Sequence, residues 1–136
     1  MNIEIKTSKR QIPYITAIKY LEKRVKKIKS GKAEDLLWIL EHPITYTAGI
    51  RANQSEILDQ NIKVVKTNRG GKITLHAPGQ KILYFAINLN KRKKDIRQFI
   101  SIIELSLMEF LNLYNIDCST YKNRVGIWVT GKNGKK

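Results

Sequence analysis

The run Thr67-Asn-Arg-Gly-Gly-Lys-Ile-Thr-Leu-His-Ala-Pro-Gly-Gln80, continuing into Lys81-Ile-Leu-Tyr-Phe-Ala-Ile-Asn-Leu89, sets the reading of this chain. It places an Arg, three glycines, a Thr, a His and a Pro between apolar stretches. Glycines gather where a backbone must pass very close to something else. Lys72 to His76 and Lys81 to Leu89 read as two strands. Pro78 and Gly79 occupy the two central positions of a type II turn between them, so loop and hairpin are expected to form one unit. Two adjacent glycines can aim backbone N–H groups at a carboxylate, phosphate or thioester oxygen, and Arg69 can add a planar charged fork. The same residues also suit a bare hairpin entry with a surface arginine. His76 beside Pro-Gly equally suits a structural hydrogen-bonding role, and the residues alone leave these alternatives open.

Outward from this run, Ile15, Ile18, Leu21, Val25 and Ile28 lie on one face of a helix expected over 12–29, with Pro13 in its first turn and Ser30-Gly31 at its stop. The Lys and Arg residues between them read as its solvated face. Leu36-Leu-Trp-Ile-Leu40 reads as a buried strand that ends at Glu41-His42-Pro43. Residues 44–49 continue extended, Ser55 caps one expected helical turn, and Ile62 to Val65 is a strand. Asp95 to Tyr114 is the clearest helix, capped by Asp95 with Gln98 in the capping-box position. Its expected buried stripe is Ile96, Phe99, Ile100, Ile103, Leu107, Phe110, Leu111 and Tyr114. Cys118 to Tyr121 and Val125 to Thr130 read as strands, and Gly131-Lys-Asn-Gly134 as a turn. Mixed helices and strands define an α+β class with a mixed or antiparallel sheet.

The chain has 136 residues, 42% of them hydrophobic and 27% charged, which suits a single domain over residues 1–136. No apolar run reaches the roughly 18 residues that span a bilayer, and the first residues lack a signal-peptide layout. One cysteine, Cys118, precludes an internal disulfide. A cytoplasmic protein is the expectation. The net charge of +15 invites a nucleic-acid reading. The excess is mostly lysine, it is spread along the chain, and Ile and Asn are abundant too, the pattern of drift toward A/T-rich codons. Nucleic acid is therefore set aside as a partner, while the charge would still steer an acidic protein.

Arg69-Gly-Gly-Lys-Ile-Thr-Leu-His-Ala-Pro-Gly-Gln80 resembles the R-G-G-x-x-T-x-H-G-P-G-Q signature of lipoyl(octanoyl) transferases, the octanoyl-[acyl-carrier-protein]:protein N-octanoyltransferases. Glu41-His-Pro-Ile-Thr-Tyr-Thr-Ala-Gly49 resembles that family's E-H-x-x-x-Y-T-x-G segment, and Val125-Gly-Ile-Trp-Val129 its G-V-W-V strand. The order also matches. Ala77 stands where the family has Gly, and Phe85-Ala86 where it often has Pro-Ile. The resemblance implies a biotin/lipoate protein ligase-like fold, a mixed sheet with helices on one side. It implies transfer of an octanoyl group from the phosphopantetheine thiol of acyl carrier protein to an enzyme cysteine. The group then passes to a lysine of a lipoyl domain in a dehydrogenase complex or of a glycine-cleavage H protein. No cofactor, metal or ATP is implied, because the thioester is already activated. Substrate-binding residues carried over are Arg69, Gly70, Gly71, Lys72, Ile73, Thr74, Leu75 and His76.

No catalytic residue carries over. The family's cysteine belongs to a later Pro-Cys-Gly segment, and a lysine near it lowers the thiol pKa. Cys118, in Asp117-Cys-Ser119, precedes the Gly-Ile-Trp-Val strand and reads as structural. Lys132, Lys135 and Lys136 come near the place of the family's lysine, with no downstream residues to align them. The chain is expected to be the N-terminal two-thirds of an octanoyltransferase, truncated at its C-terminus and inactive alone. The alternative is a non-catalytic remnant or binding module that holds acyl carrier protein or a lipoyl domain. The glycine motifs of ATP-dependent lipoate and biotin ligases are absent.

Overall fold

The computed structural model describes residues 2–92, 94–122 and 124–129. The expected turn at 131–134 and Lys132, Lys135 and Lys136 lie outside the described residues. The chain falls into two compact units, 1–88 and 89–136.

The first unit holds two three-stranded sheets. In one, β2 (Asp35–Leu40) runs parallel to β1 (Ile3–Thr7) and antiparallel to β6 (Ile82–Ala86). In the other, β3 (Thr45–Ala48) runs parallel to β4 (Val64–Lys66) and antiparallel to β5 (Ile73–His76). The sheets are therefore mixed, as the sequence suggested. Sequence reading passed over β1, although Ile3-Glu-Ile-Lys-Thr7 alternates as a strand does.

β2 forms the centre of the first sheet, and its solid apolar run fits a strand covered on both faces. Helix α1 (Tyr14–Lys29) packs over it. Ala17, Ile28, Leu36, Trp38, Leu40 and Ala86 make the core, with Tyr20 and Leu21 half-buried against it. A fully buried Leu or Ile contributes about 1.5–3 kcal/mol of transfer free energy, so these few side chains dominate the unit's stability. Pro13 precedes the helix as its N-cap, and Gly31 ends it at φ +72°, a conformation costly for any residue with a Cβ.

The buried face keeps Leu21 and Ile28 of the expected stripe and turns toward Tyr14 and Ala17 in place of Ile15 and Val25. Tyr14 and Ala17 are buried, whereas Ile15 and Val25 are exposed. Arg24, read as solvated, is drawn in. Its Nη2 donates to Glu4 Oε2 at 2.6 Å and to the Glu34 carbonyl at 2.8 Å. A long side chain that spans the helix–sheet seam and satisfies a loop carbonyl serves better there than a second aliphatic group.

The expected hairpin between β5 and β6 does not form. The turn is there: Gln80 N donates to the Ala77 carbonyl at 3.1 Å, and Gly79 has φ +85°. The strands it joins belong to different sheets, β5 beside β3 and β6 beside β2. The turn hands the chain from one sheet to the other. The expected cap at Ser55 is also corrected. Asn53 caps the single 3-10 turn Gln54–Glu56 in a reciprocal capping box with Glu56.

Among its described residues the second unit holds a 3-10 turn at Leu89–Lys91, α2 (Ile96–Asn112) and the antiparallel pair β7 (Cys118–Tyr121) and β8 (Arg124–Val129). Asp95 caps α2, accepting from Arg97 N and Gln98 N. Glu104 Oε1 accepts from Gly126 N at 3.1 Å and ties helix to strand. None of the expected stripe on α2 is fully buried, and Ile96, Leu107, Phe110 and Tyr114 are exposed. A two-stranded ribbon offers too little apolar area to cover such a helix. Among the described residues no helix is long and apolar enough to cross a membrane.

Candidate functional site

The two motif segments 41–49 and 69–80 are folded into each other. Arg69 turns its guanidinium inward, toward β3. Nη2 donates to Thr47 Oγ1 at 2.7 Å, to the Thr47 carbonyl at 2.9 Å and to the Lys72 carbonyl at 2.9 Å. Nη1 donates to the Gly70 carbonyl at 2.9 Å and Nε to Thr47 Oγ1 at 3.3 Å. Thr47 is fully buried, so these bonds satisfy its hydroxyl where water cannot. The expected outward fork is thus committed to the loop itself, and Arg69 sets the loop's shape.

Gly49 shows why the second motif needs a glycine. A Cβ there would lie 2.4 Å from the Gly71 carbonyl oxygen, 2.7 Å from that of Gly70 and 2.9 Å from that of Arg69. The close approach is fixed by backbone bonds: Gly49 N to Lys72 O at 3.0 Å, Ile50 N to Arg69 O at 3.0 Å and Arg51 N to Gly71 O at 3.1 Å. The loop therefore presents its carbonyls, and not its N–H groups, to the 49–51 segment. Gly71, at φ +85°, makes the reversal that permits this.

β5 carries the remaining site residues on two faces. Ile73 and Leu75 pair with Ala48 and Tyr46, while Thr74 and His76 pair with Thr47 and Thr45. On the first face lies a cleft of about 420 Å³, lined by Ala48, Gly49, Ile57, Ile62, Val64 and Ile73 among others. A neighbouring apolar hollow of about 230 Å³ shares Ile57, Ile62, Val64 and Ile73, and adds Tyr46 and Leu58. Of the residues carried over from the resemblance, Ile73 is the one on the cleft wall. Gly70 and Leu75 are exposed, and Lys72 is ion-paired with Glu56.

The second face holds a cluster that sequence reading did not assemble. His42, fully buried, has Nδ1 2.6 Å from the Ile12 carbonyl and Nε2 2.9 Å from the Tyr84 hydroxyl. The carbonyl can only accept, so Nδ1 carries the proton and Nε2 accepts from Tyr84. Burial first, then the proximity of His76, holds the His42 pKa below its ordinary value, against the Ile12 bond. Burial also pushes the Tyr84 hydroxyl up to about 12, so it stays a donor. His76 stacks on Tyr14 with ring centroids 5.6 Å apart and stands edge-on to His42 at 5.4 Å. Its Nδ1 lies 3.2 Å from Gln80 Oε1. Glu41 completes the link by accepting from Gly79 N at 2.9 Å and pairing with Lys81 Nζ at 2.6 Å. Both bonds hold its carboxyl below the usual range. The signal for the cluster was the Glu-His pair before Pro43, whose side chains both reach the 76–81 turn region.

Cys118 is half-buried on β7, beside a shallow hollow lined by Leu105, Met108, Glu109, Asn112, Ile116 and Asp117. Among the described residues no three His, Cys, Asp or Glu side chains gather as a metal site.

A mixed-sheet domain with its glycine loop locked onto a neighbouring motif strand agrees with what sequence comparison finds: the family model of the lipoyl protein ligase A/B catalytic domain matches residues 13–136. The chain belongs to this family. Curated relatives that it matches are named octanoyltransferases. It is 39% identical to the octanoyltransferase of Novosphingobium aromaticivorans over 134 residues, covering 98% of this chain and 60% of the relative. It is 40% identical to that of Bartonella tribocorum, covering 93% and 52%, and 38% identical to that of Wolbachia sp. subsp. Brugia malayi, covering 93% and 62%. The chain therefore spans about half to three-fifths of the length of these relatives.

Proposed function

We propose that residues 1–136 form part of one octanoyltransferase catalytic domain of lipoate biosynthesis, working in the cytoplasm. The domain moves an octanoyl group from acyl carrier protein to a lysine of a lipoyl domain through a cysteine thioester. This chain supplies the acyl-thioester wall, with the substrate lying along Arg69–His76 and its alkyl chain toward the aliphatic side chains around Ile73. The observation that carries the reading is the interlock of Thr47 and Gly49 with Arg69-Gly70-Gly71. It gives one physical reason for two separated motifs of the family to occur together. The chain's single cysteine, on β7, is not the acyl acceptor, so this chain alone forms no acyl-enzyme.

Octanoyl-pantetheine titrated into isotope-labelled protein tests the wall. Shifts at Ala48, Gly71 and Ile73 are expected, and shifts confined to residues 96–129 would refute it. Intact mass after incubation with octanoyl-acyl carrier protein should show no adduct. A stable thioester on Cys118 would overturn that residue's structural assignment.

A further inference from the structure

Parallel pairing of β1 with β2 has a local result at the strand ends. Ser8 N donates to the Ile39 carbonyl at 2.9 Å and Ile12 N to the Glu41 carbonyl at 2.8 Å. The 8–12 loop is thereby laid beside Glu41, and through Glu41 beside the 76–81 turn region. Between them is a hollow of about 360 Å³ lined by Ser8, Lys9, Arg10, Gln11, Glu41 and Lys81. Every lining side chain is polar, so the hollow does not suit an alkyl chain. Its one carboxylate, Glu41, already holds Lys81 Nζ at 2.6 Å and Gly79 N at 2.9 Å. Among the described residues Lys9 and Arg10 have no ion-pair partner. Lys72, by contrast, is tied to Glu56. Three cations against one carboxylate leave the hollow electropositive, and α1 begins just beyond it with no acidic residue in its first turn.

We infer that this hollow is an oxyanion subsite that takes the phosphate ester of the acyl donor's carrier arm. The Arg10 guanidinium offers a planar fork matched to phosphate oxygens, and Lys9 a mobile point charge. Glu41, already neutralised, sets the position of Lys81 and leaves room for an anion opposite it. The site lies next to the turn that holds His76, so an anchored phosphate directs the rest of the arm toward the Arg69–His76 segment. The identity of the donor rests on the proposed function. The preference for phosphate rests on the hollow alone.

The test is an amide-shift titration of the 136-residue chain with three probes: pantetheine 4′-phosphate, pantetheine and inorganic phosphate. Lys9→Glu/Arg10→Glu is compared with Lys26→Glu/Lys27→Glu, a charge-matched change on the exposed end of α1. The phosphorylated arm and inorganic phosphate should both shift residues 8–11 and 79–81. The unphosphorylated arm should bind roughly tenfold more weakly, and the Lys9/Arg10 variant should erase that difference, as expected for charge-assisted contacts. The α1 variant should change binding by less than about twofold. No shift with inorganic phosphate, or equal loss in both variants, overturns the subsite. Inorganic phosphate binding at residues 8–11 while neither arm binds there would keep the oxyanion preference but overturn its assignment to the donor's arm. In that outcome the acyl-donor reading fails separately.

Discussion

The two helices are of nearly equal length, 16 and 17 residues, and both are amphipathic by pattern, yet they end in opposite circumstances. Helix α1 is crowded with lysine and buries Tyr14, Ala17 and Ile28. Helix α2 is far richer in Leu, Ile and Phe, and buries none. The difference lies in what each is given to cover. α1 lies over a sheet whose central strand is apolar on both faces. α2, within its own unit, has a two-stranded ribbon. An apolar stripe records that a helix has a side to hide; the partner decides whether it is hidden.

The sharpest way to break this contrast is to cut volume from the region that is covered. Leu36→Ala and Leu40→Ala, both at fully buried positions, should each cost about 2–5 kcal/mol. Urea unfolding would read this as a lower midpoint with an unchanged slope. A loss under about 1 kcal/mol would mean the first unit has no specific core. Gly49→Ala should come next. It drives a methyl group into carbonyl oxygens, with a cost of about 1–3 kcal/mol or more. The amide shifts of 69–72 should move with it, and an unperturbed loop would refute the interlock.

A third test uses pH on the first unit. The His42 pKa is lowered in the folded state, so the unfolded chain binds the proton more tightly. Its contribution to stability is therefore present above the unfolded value of about 6.5 and is lost as pH falls from there through the folded pKa. The unfolding midpoint should drop on acidification through this window, and His42→Gln should flatten the dependence. An equal slope in that variant would assign the effect to other groups. The smallest change is expected on α2. Leu105→Ser with Phe110→Ser removes exposed apolar surface, so stability should move by no more than about 0.5 kcal/mol. Sedimentation should show less self-association. A large loss of stability would show that this helix face is covered after all.

Much of this was legible in the residues. Periodicity located both helices, and the strand readings found β2 to β8, with β4 expected two residues early, while β1 was missed. Pro78-Gly79 specified its turn. A turn, however, fixes four residues and says nothing about which neighbours the following strand pairs with, so the hairpin expectation failed while its turn held. Arg24 was read as part of a solvated face, and Arg69 as a charged fork toward a ligand or a surface arginine. Both donate to backbone carbonyls of other segments, Arg24 to Glu34 and Arg69 to Thr47, and local sequence does not reveal a distant carbonyl. The Glu41-His42 pair was visible as a motif, yet its reach to residues 76–81 depends on two sheets meeting at one turn.

Gly49 carries a consequence in the language of the genetic code. Every glycine codon begins with two guanines, and each single-base change that alters the amino acid installs a Cβ. Here that atom would meet three carbonyl oxygens, at 2.4, 2.7 and 2.9 Å. In a chain whose lysine, isoleucine and asparagine content suggests steady pressure toward A and T, this is a position where that pressure has nowhere to go. A saturation mutagenesis map should show an empty column at residue 49. Gly31, where an added Cβ would meet nothing within 4 Å, should show a partly filled one limited by its backbone angle alone.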